Sequence, residues 1–588
     1  MDKRIVLQWA LRLSGMVACL QASGQDISDL KGKRPFDLSG TLSLNTATFA
    51  SNRPGAFSAP FSWTISGNPT VMLWGIAFPF TIVYSERDRS FRQPFNRIGV
   101  SPRWKWLTLH AGYRNISFSK YTLGGWQFLG GGFETNSKLR LGAVYGRFMR
   151  PVDISGLDSL ERRFAVPAFD RRGYAFKLGY GTAQNHWDFL FFSAKDDTLS
   201  IASEDSRRAV QPQENMAFGV RGNFTFAKVL VFDLDAGASA LTHNLYADSI
   251  PLGVDYPRWL ERYFRPNVTT RLRYAGDAGL ALRLRKFNIR LSYALVQQDF
   301  ATLGAYNFNT DVERWLFSPG FSFWKGKVQV QTSIGLQRNN TLNNRRDVSG
   351  TRNIGFNVSA RPGPRFSANL NYYNFQNSLQ RSPDYPVDLV DSLLNFRQAS
   401  QSASGGATYQ FGPKERTHTL SLHVSGNSYD DGSPESAGTG SFTISPSLNW
   451  RMHRRALGLV VGVNAAGSLI QNPNGNITRW TGGVLCTKKM LKDRLSANVN
   501  AGFSQTTFET LSGGGGLGWY VRAGAGLRVQ KTHTLSMNLN LTDTPRSAGS
   551  RVQTFSGSLT YSYALSSLFR QPEPVRPGTP PLTQPIKN

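Results

Sequence analysis

The run Phe555-Ser556-Gly557-Ser558-Leu559-Thr560-Tyr561-Ser562-Tyr563-Ala564-Leu565 places Phe555, Gly557, Leu559, Tyr561, Tyr563 and Leu565 on one parity and Ser556, Ser558, Thr560 and Ser562 on the other. Successive side chains of a strand point to opposite faces, so this is a strand with one apolar face and one face that is polar yet uncharged. Upstream, Leu535, Met537, Leu539 and Leu541 oppose Ser536, Asn538 and Asn540. Phe366, Ala368, Leu370 and Tyr372 oppose Ser367, Asn369, Asn371 and Tyr373. The pattern reaches back through Leu420, Leu422, Val424; Ile289, Leu291, Tyr293, Leu295; Tyr174, Phe176, Leu178, Tyr180; and Leu139, Leu141, Ala143, Tyr145. Earlier still, Met72, Trp74, Ile76, Phe78, Phe80, Ile82 and Tyr84 occupy even positions and predict one long strand.

A soluble β-sandwich alternates too, so strand length and connection rhythm decide between a sandwich and a barrel in lipid. The alternating runs are about 9 to 13 residues, as a tilted bilayer-spanning strand requires; strands of soluble proteins average about 5 to 6. Connections alternate short and long. Gly67-Asn68, Asn136-Ser137, Lys286 to Asn288, Lys325 to Lys327, Arg451 to Arg455 and Lys531 to His533 read as short turns; 150–172, 196–213, 242–269, 339–350 and 377–399 read as long polar links. Short turns on one rim and long loops on the other are the layout of a transmembrane barrel. The expected fold is therefore all-β: a closed antiparallel transmembrane β-barrel of about 26 strands, within about 22 to 30, and no separate plug domain.

Composition agrees. The chain has 588 residues, 40% of them hydrophobic, only 18% charged, with 57 glycines and 12% aromatics, and a mean hydropathy of -0.32. These values exclude a disordered polyelectrolyte and a helical membrane bundle. The two cysteines, Cys19 and Cys486, are too few for a disulfide framework, a thiolate zinc site or an iron-sulfur cluster, and the expectation is no cofactor and no metal. Residues 1–24 read as a cleaved signal peptide, with Lys3 and Arg4 before an apolar run and Ala22-Ser23-Gly24 at its end. Met16-Val17-Ala18-Cys19 leaves open a lipoprotein beginning at Cys19. Residues 25–35 form a short periplasmic segment, 36–567 the barrel, and 568–588 a Pro-rich disordered periplasmic tail. No passenger, periplasmic repeat or globular plug interrupts this plan.

On these residues, along essentially all of 36–565, the chain resembles the large Gram-negative outer-membrane β-barrels of porin or transporter type; its Gln25-Asp26 start is similar to those of Bacteroidota. The resemblance implies an outer-membrane location, contact with outer-membrane lipid and lipopolysaccharide, and passage of solutes.

The formal net charge of +29 raises nucleic acid, anionic lipid and anionic solutes as partners, and export argues against nucleic acid. If Leu272, Tyr274, Leu280, Leu282 and Leu284 face lipid, then Arg271, Arg273, Arg283 and Arg285 face inward, with Arg290, Lys138, Arg140, Arg522 and Arg528 from other strands. Arginine near the midplane of the lipid face costs about 2–4 kcal/mol, so these nine line water and favour anionic solutes; the alternative is that they sit in rim positions or pair with Asp233, Asp235 and Asp277 in a structural lattice. Lys286, Lys325, Lys327, Arg451, Arg454, Arg455, Lys488, Lys489 and Lys531 form a basic periplasmic rim, open to anionic headgroups, a periplasmic or outer-membrane protein partner, or solvent alone.

Trp104, Trp106, Trp126, Trp187, Trp315, Trp324, Trp450, Trp480 and Trp519 suit interfacial girdles, some of them lumen packing instead. His423 beside Ser421 and Ser425 is a serine-histidine pair without a nucleophile motif, so the chain is not expected to be an enzyme, a lipid hydrolase ranking third. A lumen this wide needs occluding. The link 242–269, with Tyr246, Tyr256, Trp259 and Tyr263, is the expected gate, and a barrel serving secretion or assembly inside a larger complex is the alternative to a channel.

Overall fold

In the computed structural model the described residues run from 36 to 565, apart from 54–59, 75, 86–96, 157–164, 251–260, 262, 307–308, 382–395, 433–438, 474, 510–513, 531 and 546–549. The expected leader, the 25–35 segment, the tail and Lys531 lie outside the described residues. The chain forms a single antiparallel sheet closed on itself, a β-barrel of 26 strands. Closure is made by the first and last strands, from Thr41 opposite Ala564 to Ser51 opposite Thr554. Along this seam, among the described residues, no strand is left at an edge, which is the condition for a sheet to stand in hydrocarbon.

Three strands are interrupted. The first, 36–51, breaks at Gly40; the second, 61–73, at Asn68-Pro69; the fourth, 97–104, at Ser101-Pro102. Both prolines lack the N–H a ladder needs. Gly40 has φ +114°, and a Cβ there would collide with the Asn68 carbonyl, so the bulge requires glycine. Asn68 completes the break by accepting from the Thr41 amide at 3.3 Å and hydroxyl at 2.9 Å.

Two expectations are corrected here. Gly67-Asn68 is this interruption within a strand and not a turn. The run from Met72 to Tyr84 is a hairpin: Leu73 pairs with Ile76 across Trp74, whose φ is +46°. The outward set thus passes from Val71 and Leu73 to Ile76 and Phe78, and Met72 pairs with Ala77 on the other face.

The connections alternate between two rims. One carries tight turns such as those between Leu107–Ser117 and its predecessor (Lys105-Trp106) or between Glu214–Phe226 and Leu230–Thr242 (227–229); Lys105, Lys228, Lys325 and Lys492 adopt positive φ within them. The other carries the longer links, including 198–213 with its short α-helix Glu204–Ala209, N-capped by Ser203. Past residue 431 these links shorten, to 472–475 between Leu459–Gln471 and Asn476–Met490. Both ends of the barrel wall, Phe36 and Ala564, lie on the short-turn rim.

Side chains follow the pleat. Leu178, Leu291 and Val484 point outward and are 56, 43 and 57% exposed. Cross-strand pairs such as Phe191 with Phe218 extend the apolar belt. A band of this extent on a water-soluble surface would drive association.

Candidate functional site

The inner wall has two contrasting halves. From strand Leu107–Ser117 to strand Phe287–Val296 it is covered. Inward-facing Phe128, Val144, Phe148, Ala175, Leu190, Phe192, Ala217 and Leu241 are buried against Ile116, Phe118, Leu123 and Leu303, forming a core inside the barrel. Two long-rim links supply that filling: Phe118 to Leu123, and Phe300 to Ala305. They are joined to each other by Gly124 N–H to the Gly304 carbonyl at 2.9 Å and by the Thr302 hydroxyl to the Thr122 carbonyl at 3.0 Å. Tyr121 packs edge-on to Phe300, ring centres 5.7 Å apart. The wall makes room with glycine: a Cβ on Gly237 would lie 2.8 Å from Tyr121 Cβ.

Polar groups fix the filling. Asn215, fully buried, accepts from the Leu303 amide at 3.1 Å and donates to Ser239 Oγ at 2.7 Å, while Ser239 donates to the Ala301 carbonyl at 2.6 Å. Ser119 donates to Asp235 at 2.5 Å, and Lys120 meets Asp277 at 2.5 Å. Below the filling, a recess of about 570 Å³ is lined by Lys120, His186, Arg221, Asp233, Asp235 and Arg283 among others. Charges on this half are largely paired: Arg140 binds Asp188 bidentately at 2.7 and 2.9 Å, Arg290 meets Asp233 at 2.8 Å, and Lys177 meets Glu134 at 2.6 Å.

The other half, from strand Asp347–Gly363 round to strand Thr41–Ser51, presents amide, hydroxyl and glycine. Asn357, Asn371, Ser404, Ser421, Asn449, Asn464, Asn498, Asn538, Asn540, Ser556 and Asn45 all fall on the inward parity. Between the rims this face carries no carboxylate among the described residues. Arg522 stands in it, donating to Asn540 Oδ1 at 3.2 Å with its guanidinium 5.4 Å from the Tyr520 ring centre. Arg479 reaches Ser504 at 3.3 Å.

The nine arginines and lysines expected in the lumen separate accordingly. Arg140 and Arg290 sit on the inner wall in ion pairs. Arg273 donates to the Gln298 carbonyl at 2.9 Å and so braces the filling. Arg271, Arg283, Arg522 and Arg528 have inward parity and form no ion pair among the described residues. Lys138 and Arg285 are corrected: both lie in short turns, beyond the strand ends at Leu139 and Arg283, because the wall finishes one residue short of Lys138 and two short of Arg285. Of the rim set, Lys286, Lys325, Lys327 and Arg455 lie at short turns, while Arg454, Lys488 and Lys489 close the strands leading into them. Arg451 lies within strand Ser441–Arg454, opposite Thr419, since the turn there is 455–458 and not 451–455.

Trp126 is no girdle residue: it stacks on Tyr306 at 4.1 Å inside the filled half and donates to the Phe148 carbonyl at 2.8 Å. Tyr246 and Tyr263 of the expected gate are 59 and 58% exposed, and Tyr256 and Trp259 lie outside the described residues. Among the described residues, the links that fill the lumen are the two above. Sequence reading missed them, although strand His186–Asp197 signals them: Phe189-Leu190-Phe191-Phe192 is apolar on both faces, so its inner face needs a cover. His423 faces inward with Ser421 and Ser425, and no hydroxyl–imidazole hydrogen bond joins them among the described residues.

No protein-family profile matches this chain, and no curated protein matches it. Solved structures similar to it include Pseudomonas aeruginosa OpdK with vanillate, 13% identical over 68% of this chain and 99% of that one, with a TM-score of 0.30. Acinetobacter baumannii OccAB4 is 10% identical over 65% of this chain and 98% of that one, TM-score 0.30. The P pilus usher PapC translocation pore is 12% identical over 89% and 98%, TM-score 0.27.

Proposed function

We propose that this chain is an outer-membrane channel or transporter for polar solutes, with a preference for anions, and not an enzyme. The observation that carries the reading is the open inner wall: a carboxylate-free surface of Asn, Ser, Thr and Gly in which Arg522 faces the lumen at mid-depth, with Arg479 nearer the long-loop rim and Arg451 nearer the short-turn rim. Amides and hydroxyls offer replaceable hydrogen bonds to a passing polar solute, and fixed positive charge in a low-dielectric wall focuses potential towards anions. The filled half narrows the path to one side of the cylinder. Outward Leu, Phe and Val side chains give the wall its contact with hydrocarbon, and the Gram-negative setting follows from the barrel type.

Conductance in a planar bilayer under a salt gradient tests the proposal. A water-filled pore whose reversal potential marks anion selectivity is the expected result; cation selectivity removes the anionic preference. The second reading, a structural or secretion-associated subunit, is favoured by the same covered half, and it predicts a silent bilayer together with a stably co-purifying partner.

A further inference from the structure

The two rims differ in how their charges are neutralised. At the long-loop rim, five cations are paired with acids across neighbouring strands and links: Arg171 with Asp196, Lys195 with Glu214, Arg338 with Glu313, Arg345 with Asp311 and Arg551 with Asp543. At the short-turn rim the cations are not so paired. Nine of the twelve short turns contain a described Lys or Arg, and the acids in them are Glu415 and Asp493. Among the described residues, the ion pair made there is Lys489 with Asp493, at 3.9 Å. Lys105, Lys228, Lys286, Lys325, Arg455 and Lys492 are exposed and spread around the circumference. Interleaved with them in the turns are Trp74, Trp106, Trp324 and Leu491, Trp324 being 75% exposed.

We infer that the short-turn rim is a ring that binds the anionic phosphate headgroups of the membrane leaflet surrounding it. The inference rests on the membrane reading above. Three features select a leaflet over a protein polyanion. The cations encircle the barrel, as a leaflet does, whereas one docked protein would be met by a patch. They alternate with tryptophan and leucine, which enter the boundary between headgroup and acyl chain. They also lie in two- to four-residue turns tied to the barrel wall, so they stay at a fixed depth.

The test uses the full chain reconstituted in nanodiscs of phosphatidylcholine alone or with phosphatidylglycerol, followed by native mass spectrometry of retained lipid at low and high salt. Phosphatidylglycerol should be retained at least about tenfold over phosphatidylcholine at low salt, with the excess lost at high salt. Each of Lys105→Gln, Lys286→Gln, Lys325→Gln and Lys492→Gln should weaken that retention, by up to about fivefold singly. Arg53→Gln and Arg346→Gln, on the opposite rim, should leave it unchanged. Equal retention of the two lipids by an inserted chain overturns the inference and leaves the barrel reading standing; so does full displacement of the lipid by inorganic phosphate at millimolar concentration. A chain that enters neither nanodisc overturns both.

Discussion

The Leu303 amide and Asn215 Oδ1, 88 residues apart in sequence, meet at 3.1 Å inside the barrel. Through this bond a link from the long-loop rim is held against the inner wall. Asn215→Leu removes the acceptor of the buried Leu303 amide and the donor to Ser239 Oγ and the Ala240 carbonyl, at about 1–3 kcal/mol for each buried group left unsatisfied. The segment 300–305 should then be released. Single-channel conductance should rise, and protease added from the long-loop side should cleave within the segment; unchanged conductance and resistance would show that the filling does not depend on this contact.

Arg171 and Asp196 are nearly inaccessible and bonded through both guanidinium arms, at 2.7 and 2.9 Å, with Gln213 accepting from the same arginine at 3.0 Å. Removing one member of such a pair strands the other, so Arg171→Met alone should lower stability by about 3–5 kcal/mol. Arg171→Met with Asp196→Leu should recover most of it. Thermal unfolding in detergent, followed by heat-modifiable gel mobility, distinguishes the two.

Arg522→Glu reverses the sign of the charge set in the open wall without burying anything. The reversal potential under a salt gradient should move towards cations, with the folded yield unchanged. A shift no larger than that of Lys105→Gln, on the rim, would exclude Arg522 from the permeation path.

The inside–outside assignment is testable by exchanging chemistry across the wall. Leu291→Arg places charge on the outward face at mid-strand and should cost about 2–4 kcal/mol and impair insertion. Asn540→Arg, on the inward face, should insert normally. Equal insertion of both variants would contradict the assignment.

Asp153, in the link after strand Leu139–Met149, clasps the neighbouring link. Burial disfavours its ionisation, but the amides of Ser203 at 2.9 Å and Ser155 at 3.0 Å, with hydroxyls of Ser155 and Ser206, outweigh it and hold the carboxyl well below the ordinary carboxylate range. A depressed value in the folded state means the clasp contributes fully above the unfolded value near 3.8 and is lost as pH falls below it. Hydrogen exchange at Ser203 and Ser155 should stay slow from pH 7 to 5 and accelerate only in stronger acid. Asp153→Asn should make it fast throughout.

The barrel was legible because each strand repeats one rule, and even the strand number followed from turn rhythm. Errors arose where local pattern and tertiary register diverge. Met72, Trp74 and Ile76 continue an even-numbered apolar series straight through a hairpin, since a two-residue turn shifts the outward parity by one and Trp74 is bulky enough to hide the shift. Lys138 and Arg285 preserve the alternation of their strands one and two residues beyond the strand ends. The filling of the lumen was the least legible part: Phe118 to Leu123 and Phe300 to Ala305 are short mixed segments, and their burial depends on Gly237 and Asn215 from other strands. The open Asn-Ser-Thr wall, by contrast, was visible in Ser536, Asn538, Asn540 and their neighbours.

The hydrogen-bonded seam between strands Thr41–Ser51 and Arg551–Ala564 joins the first and the last strand of the barrel; Ser43 and Ser562 share a bond at 2.9 Å across 519 positions. The cylinder therefore cannot shut until the last barrel strand is available, and any form lacking it exposes two raw sheet margins. Such a chain must be shielded from self-association until its final strand arrives, which makes biogenesis, more than the folded state, the stage at which this protein is vulnerable.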